Sequence, residues 1–311
     1  MLRTWTRVVL AATFVVAVIG LAPPASASSP TTAARSLIVF DTRYSGADVS
    51  QIYTIRSDGS DRHRLTNSSR RAAWDPAFSP DGSRIAFARD GRLGSVIAVI
   101  DTDGTGRYVV RADAGYDDYA PAWTSDGLGI IFVRCHQAPG YPCRIARMDL
   151  AGAQLVELTG GSWHDGTGPF GSFPGELGPA VSSVDGRIAF SSDRGGFDTR
   201  LFVMEADGGD LHVISKPAIE AGNPSWSPDG DWISVTGDPQ VGTTFLLHPD
   251  GSGLHSVEPG ALFAAFSPSG QRLVALQESS GKLATFSVGG GPMRVIPGTA
   301  GGTFSDWSYV P

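Results

Sequence analysis

Apolar residues in this chain come in short runs of four to eight, each broken by a glycine- or proline-containing turn. Runs such as Ser95-Val96-Ile97-Ala98-Val99-Ile100 are apolar at nearly every position, as in strands covered on both faces. Others alternate with period two. No stretch of the mature region keeps a helical period of 3.6, so the pattern predicts an all-β fold.

The runs repeat. Pro76-Ala-Phe-Ser-Pro-Asp-Gly-Ser-Arg-Ile-Ala-Phe87 returns, with substitutions, at Pro121–Phe132, Pro179–Phe190, Pro224–Val235 and Ala265–Leu276. Its turn glycines, Gly82, Gly127, Gly186, Gly230 and Gly270, are spaced by 45, 59, 44 and 40 residues. Between these copies lies a second phrase, an apolar strand ending in a glycine turn and then a short strand. Ile52-Tyr-Thr-Ile-Arg-Ser-Asp-Gly59 before Arg64-Leu-Thr66 is one case, and further copies turn at Gly104, Gly152, Gly208, Gly251 and Gly290. Asp-Gly suits a hairpin turn because glycine takes positive φ without a Cβ clash, and the proline before it fixes φ at the turn entrance. Each unit therefore holds four strands, A (Pro-Ala-Trp-Ser), B (Arg-Ile-Ala-Phe), C (Ile-Ala-Val-Ile) and D (Tyr-Val-Val). Four strands per 40–45 residues is the period of a β-propeller blade.

Six copies of the second phrase meet five complete copies of the first. The missing strand A stands at the far end, Phe304-Ser-Asp-Trp-Ser-Tyr309, while the first unit opens directly on strand B at Ser36-Leu-Ile-Val-Phe40. The expectation is a six-bladed β-propeller over residues 36–311, four antiparallel strands per blade. Its ring is closed by the C-terminal strand pairing with the N-terminal blade, leaving no open edge.

Trp226-Ser-Pro-Asp-Gly230 and Leu65-Thr66 resemble the WD40-like repeats of the TolB propeller family, and the resemblance spans residues 36–311. It implies that same fold. TolB proteins carry a further N-terminal α/β domain, for which residues 28–35, read here as a linker, leave no room.

The first 27 residues read differently. Arg3 and Arg7 precede the apolar run Val8–Ala22, and Ala25-Ser26-Ala27 offers small residues at a cleavage site. That is the layout of a secretory signal peptide, and the 15-residue run is short of the roughly 20 needed to span a bilayer. The expected product is secreted or held in the cell envelope, without a membrane span after cleavage.

Removing residues 1–27, which hold two arginines and no acidic residue, takes the net charge from −7 to −9. With Lys216 and Lys282 as its only lysines, the chain lacks the basic footprint of a nucleic-acid or anionic-membrane binder. Cys135 and Cys143, eight positions apart in an exported chain, are expected to form a disulfide.

Catalytic signatures are sparse. There is no Gly-x-Ser-x-Gly, no His-Glu-x-x-His and no phosphate-binding Gly-Lys-Ser/Thr loop. Asp101-Thr-Asp-Gly104 is read as a hairpin turn rather than a calcium loop. His63, His212 and His255 fall at equivalent places in three different units and cannot converge; His136 and His164 are read as lying in loops, with Asp165 beside the latter. No metal and no cofactor is expected.

The units differ most in one region. The 59-residue spacing marks an insertion of about 15 residues, Gly161–Gly175, joining strand D of one blade to strand A of the next. Such connections share a face with the B–C loops, and Cys135–Cys143 spans one of these. Tyr116-Asp117-Asp118-Tyr119, read as the preceding D–A loop, joins them. The candidate binding face is thus Tyr116, Asp117, Asp118, Tyr119, Trp163, His164, Asp165, Phe170 and Phe173, within residues 113–120, 134–143 and 161–177. The expected function is that of a monomeric, non-enzymatic propeller binding an extracytoplasmic protein, peptide or glycan there. The alternative is a metal-dependent lyase or hydrolase with a site at the channel mouth.

Overall fold

The computed structural model describes residues 35–42, 49–138, 143–160, 176–194, 199–215, 221–237 and 242–311. Among them are six four-stranded antiparallel sheets. Blade 1 contains β1 (Arg35–Thr42), β2 (Ile52–Ile55) and β3 (His63–Arg64). Blade 2 follows with β4 (Ala73–Phe78), β5 (Arg84–Asp90), β6 (Ser95–Asp101) and β7 (Tyr108–Val109). Blade 3 has β8 (Tyr116–Trp123), β9 (Gly129–His136), β10 (Arg144–Asp149) and β11 (Leu155–Glu157). Blade 4 has β12 (Glu176–Val181), β13 (Ile188–Ser192), β14 (Arg200–Met204) and β15 (His212–Val213). Blade 5 has β16 (Gly222–Trp226), β17 (Ile233–Gly237), β18 (Thr243–Leu247) and β19 (His255–Pro259). Blade 6 has β20 (Ala261–Phe266), β21 (Arg272–Gln277), β22 (Lys282–Ser287) and β23 (Arg294–Val295). The last strand, β24 (Gly302–Val310), returns to complete blade 1, whose strand order is β24-β1-β2-β3.

This is the six-bladed propeller that the repeats predict, including its closure. β24 runs antiparallel to β1 from Arg35↔Val310 to Thr42↔Gly302, so the paired segment begins one residue ahead of the expected Ser36. Closure reaches beyond blade 1. Asp306 accepts the Phe78 amide of blade 2 through one carboxylate oxygen and the Trp307 amide through the other.

The apolar-on-both-faces pattern of strands B and C has its cause in the seams. Buried apolar side chains form six clusters, each bridging two neighbouring blades. Val39 and Ile52 of blade 1 meet Ile85, Phe87 and Ile100 of blade 2, for example. Phe40, Phe87, Phe132 and Phe190 lie within strand B of four successive blades and are fully buried, each contributing about 1.5–3 kcal/mol of transfer free energy. Tryptophan at the end of strand A ties one blade to the one before it. Trp123 Nε1 donates to the Ala77 carbonyl and Trp226 Nε1 to that of Ala180, while Arg84 and Arg187 lie over the two indoles.

The turns follow their sequence. Gly82 N–H donates to Ser79 O and Gly104 N–H to Asp101 O, so Asp101–Gly104 is the hairpin expected. Gly82, at φ +68°, is also needed for space, because a Cβ there would lie 1.8 Å from the Tyr309 carbonyl oxygen of β24.

Candidate binding site

Strand A is where each blade meets the axis, and it is not a regular strand. Pairing of β4 with β5 skips between Trp74 and Ala77, so two residues, Asp75 and Pro76, oppose one. The same bulge recurs in β8, β12, β16 and β20. Its first residue has positive φ in all five: Asp75, Ala120, Gly178, Asn223 and Phe263. Gly, Asn and Asp tolerate that conformation, whereas Ala120 and Phe263 hold it at roughly 1–2 kcal/mol. The bulge is therefore held by its surroundings. Asp75 N–H reaches Asp41 Oδ2, and Phe263 N–H donates to Thr236 Oγ1 at 2.7 Å.

These bulges ring a cavity of about 630 Å³ lined by all six A strands. Seven aromatic residues line it, Trp74, Phe78, Tyr119, Trp123, Trp226, Phe263 and Phe304, and the rings of Phe263 and Phe304 are 4.6 Å apart. Asp75, Asn223, Ser225 and Ser305 supply polar groups, and Pro80, Ser125 and Ser183 of the A–B turns line it beyond the bulges. An apolar, concave site with few polar groups is the ordinary form of a ligand pocket. Asp306 also lines it, and burial raises its carboxyl above the usual range against the two amide hydrogen bonds that lower it.

A second hollow, of about 580 Å³, lies on the D–A and B–C loop face beside blade 2. Arg70 and Arg71 of the loop entering blade 2 line it with Asp90, Gly91, Gly94, Ser95 and Asp117. Trp74 belongs to both cavities.

Of the residues expected from sequence, Tyr116, Asp117, Asp118 and Tyr119 are not in a loop. They are the first half of β8, paired with His136, Cys135, Arg134 and Val133. Cys135 and Cys143 form the disulfide, and the Tyr119 hydroxyl lies 3.1 Å from the Cys135 sulfur. Asp118 is buried, with one oxygen on Arg134 at 3.3 Å and the other without a hydrogen-bond partner. Burial pushes its pKa up to about 7, although Arg134 pulls the other way. Arg134 also donates to Asp113 and stacks over Tyr116, at 4.0 Å from the ring centre. Asp117 accepts from the Ser95 amide at 2.7 Å, tying blade 3 to blade 2. The structure thus brings these four residues together, in one strand instead of a loop. Tyr119 reaches the axial cavity and Asp117 the hollow. Trp163, His164, Asp165, Phe170 and Phe173 lie outside the described residues.

The histidines His63, His212 and His255 open β3, β15 and β19, on three different blades. Among the described residues no group of three or more His, Cys, Asp or Glu is arranged to hold a metal ion. No described helix is long and apolar enough to cross a membrane.

Known proteins place the fold. No family model matches the chain. The TolB protein of Acinetobacter baumannii superposes with a TM-score of 0.74 at 21% identity, covering 88% of this chain and 66% of that one. A chain of a nidogen/laminin complex gives 0.67 at 11% identity over 88% and 98% of the two chains. An oligogalacturonate lyase in complex with manganese gives 0.57 at 15% over 83% and 78%. In sequence, 55 residues are 42% identical to an uncharacterized peptidase of Bacillus subtilis (strain 168), a match spanning 17% of this chain and 8% of that protein. The architecture is therefore that of the TolB-like propellers. Its relatives in fold include both binding proteins and enzymes.

Proposed function

We propose that this protein is an exported, non-enzymatic propeller that binds a protein, peptide or glycan outside the cytoplasm. The binding surface is the axial cavity together with the loop-rich face carrying residues 113–120, 134–143 and 161–177. One observation carries the reading, the aromatic cavity on the axis. It is built by all six blades from bulged strands, two of which hold Ala or Phe in a strained conformation, and strain of this kind clusters at functional sites. The signal-peptide pattern, the disulfide and the TolB-like architecture support the extracytoplasmic setting.

Phe263→Asn tests the site. Asn223 already occupies the equivalent bulge of blade 5, so asparagine should be tolerated there while it removes an aromatic wall. Immobilised mature protein should capture a partner from the host's extracytoplasmic fraction, and the variant should lose about tenfold in affinity at an unchanged melting temperature. Undiminished capture would move the site off the axis. N-terminal sequencing of exported material should begin at Ser28.

A metal-dependent lyase is the second reading, favoured by the likeness to the manganese-bound oligogalacturonate lyase. Metal analysis of protein purified without chelator, with an assay of bond cleavage, separates the two.

A further inference from the structure

The chain is acidic overall, yet residues 62–111 hold nine arginines against five aspartates, a net of +4. Most of the arginines, inside this stretch and outside it, are spoken for. Arg35, Arg56, Arg111, Arg134, Arg144 and Arg187 make ion pairs, and Arg64, Arg84 and Arg272 donate to oxygens. Arg147, Arg200 and Arg294, one each on blades 3, 4 and 6, make no ion pair or side-chain hydrogen bond with a described residue, and neither do five more, Arg70, Arg71, Arg89, Arg92 and Arg107. All five belong to blade 2 or to the loop entering it. Partial burial lowers the Arg89 pKa, and the charges of nearby Arg107 and Arg71 lower it further while Asp90 pulls the other way. Unpaired like charges gathered at one place repel each other and are relieved by an anion.

Arg70 and Arg71 stand at the hollow beside Trp74. Asp90 and Asp117 share this hollow and balance those two guanidiniums, so the excess positive charge is that of Arg89 and Arg92, in the strand and loop that flank Asp90. Asp90 Oδ2 accepts the Ala72 amide, and Asp117 Oδ1 accepts the Ser95 amide and hydroxyl. Three kinds of group thus face one space: guanidiniums that can pair with an anion, carboxylate oxygens that accept hydrogen bonds, and an indole. A uronic-acid ring offers the complement of all three, in its carboxylate, its hydroxyl donors and its apolar C–H face. An acidic peptide supplies the first and second but no ring face for the indole.

We propose that the hollow of blade 2, lined by Arg70, Arg71 and Trp74 with Arg89 in the flanking strand, is a binding site for a linear acidic glycan of the uronate type. It is separate from the axial cavity and shares only Trp74 with it. Arg107 extends the field along the blade, so an oligomer should bind better than a single sugar.

The test is calorimetric titration of the mature protein with a short glucuronic-acid oligomer, a neutral glucose oligomer and an oligo-glutamate peptide of equal length. The acidic glycan should bind, with an affinity that falls steeply with salt, and the other two should bind at least about tenfold more weakly. Arg70→Gln/Arg71→Gln should lose about tenfold or more for the glycan, whereas Arg200→Gln/Arg294→Gln, on other blades, should not. If the double variant fails to fold, exposed Arg107→Gln provides the same reading with a smaller loss. Absence of glycan binding, equal binding of the neutral oligomer, tighter binding of the peptide, or unchanged affinity in the hollow variants would each overturn the proposal. Phe263→Asn should leave glycan binding intact, so failure here and failure of the axial site are told apart.

Discussion

Trp307 occupies the same place in its blade as Trp123 and Trp226, yet its indole donates to the Ser36 hydroxyl of β1 instead of to a neighbouring blade's carbonyl. It is buried in the seam between blades 6 and 1. Trp307→Ala should therefore cost about 3–5 kcal/mol in a denaturant titration, from lost burial and an unfilled cavity. Two glycines give a sharper comparison. Gly82 and Gly115 both have positive φ, but a Cβ at Gly115 meets nothing within 4 Å, whereas at Gly82 it collides with β24. Gly115→Ala should cost about 1–2 kcal/mol from conformation alone, and Gly82→Ala clearly more. Asp118 makes a pH-dependent contribution. Its carboxyl binds a proton more tightly folded than unfolded, so its share of stability is greatest at acid pH and declines as pH rises from the ordinary carboxylate range to about 7. Asp118→Asn should flatten that slope in melts across this window, by no more than a few kcal/mol. The lowered carboxyls of Asp81 and Asp229, held by serine hydroxyls, act in the opposite sense and below that window.

At the scale of the strand, what could be read from sequence and what could not divide along a physical line. Strands B and C, the hairpin glycines and the returning strand were legible because each repeats with a local cause, apolar burial or a turn. The histidines opening β3, β15 and β19 fell where the register put them. Strand A was legible as a strand but not as a bulge. Residues Asp75 and Pro76 oppose a single partner only because β5 fixes the pairing, and that is a cross-strand fact. A signal was present nonetheless, since Pro76, Pro121, Pro179 and Pro224 each follow the positive-φ residue. The axial cavity was missed for the same reason. Tyr116–Tyr119 read as a loop because Asp117-Asp118 breaks the apolar pattern, whereas β8 extends over them by pairing with β9, with Arg134 and Ser95 binding those carboxylates. The disulfide caps the far end of this strand pair. Replacing Cys135 and Cys143 with serine should cost about 2–3 kcal/mol in the loop-entropy picture. The change would show as a lower melting temperature that reductant no longer shifts.

For the molecule as a whole, six seams and one axial cavity depend on a ring that has no beginning. Every blade but the first is continuous in sequence, so the ring stands or falls with β24. That strand supplies blade 1 with its axial edge, places Phe304 beside Phe263 in the cavity wall, and holds blade 2 through Asp306 and Gly82. In a closed ring each blade is buffered by two neighbours, and opening one seam exposes two apolar faces at once. Thermal unfolding of the mature chain ending at Thr303 therefore tests the account most directly. The truncated protein should melt far below the full-length protein, or lose its single cooperative transition altogether. A truncated protein that melts cooperatively at the parent temperature would contradict closure through β24, and with it the axial site.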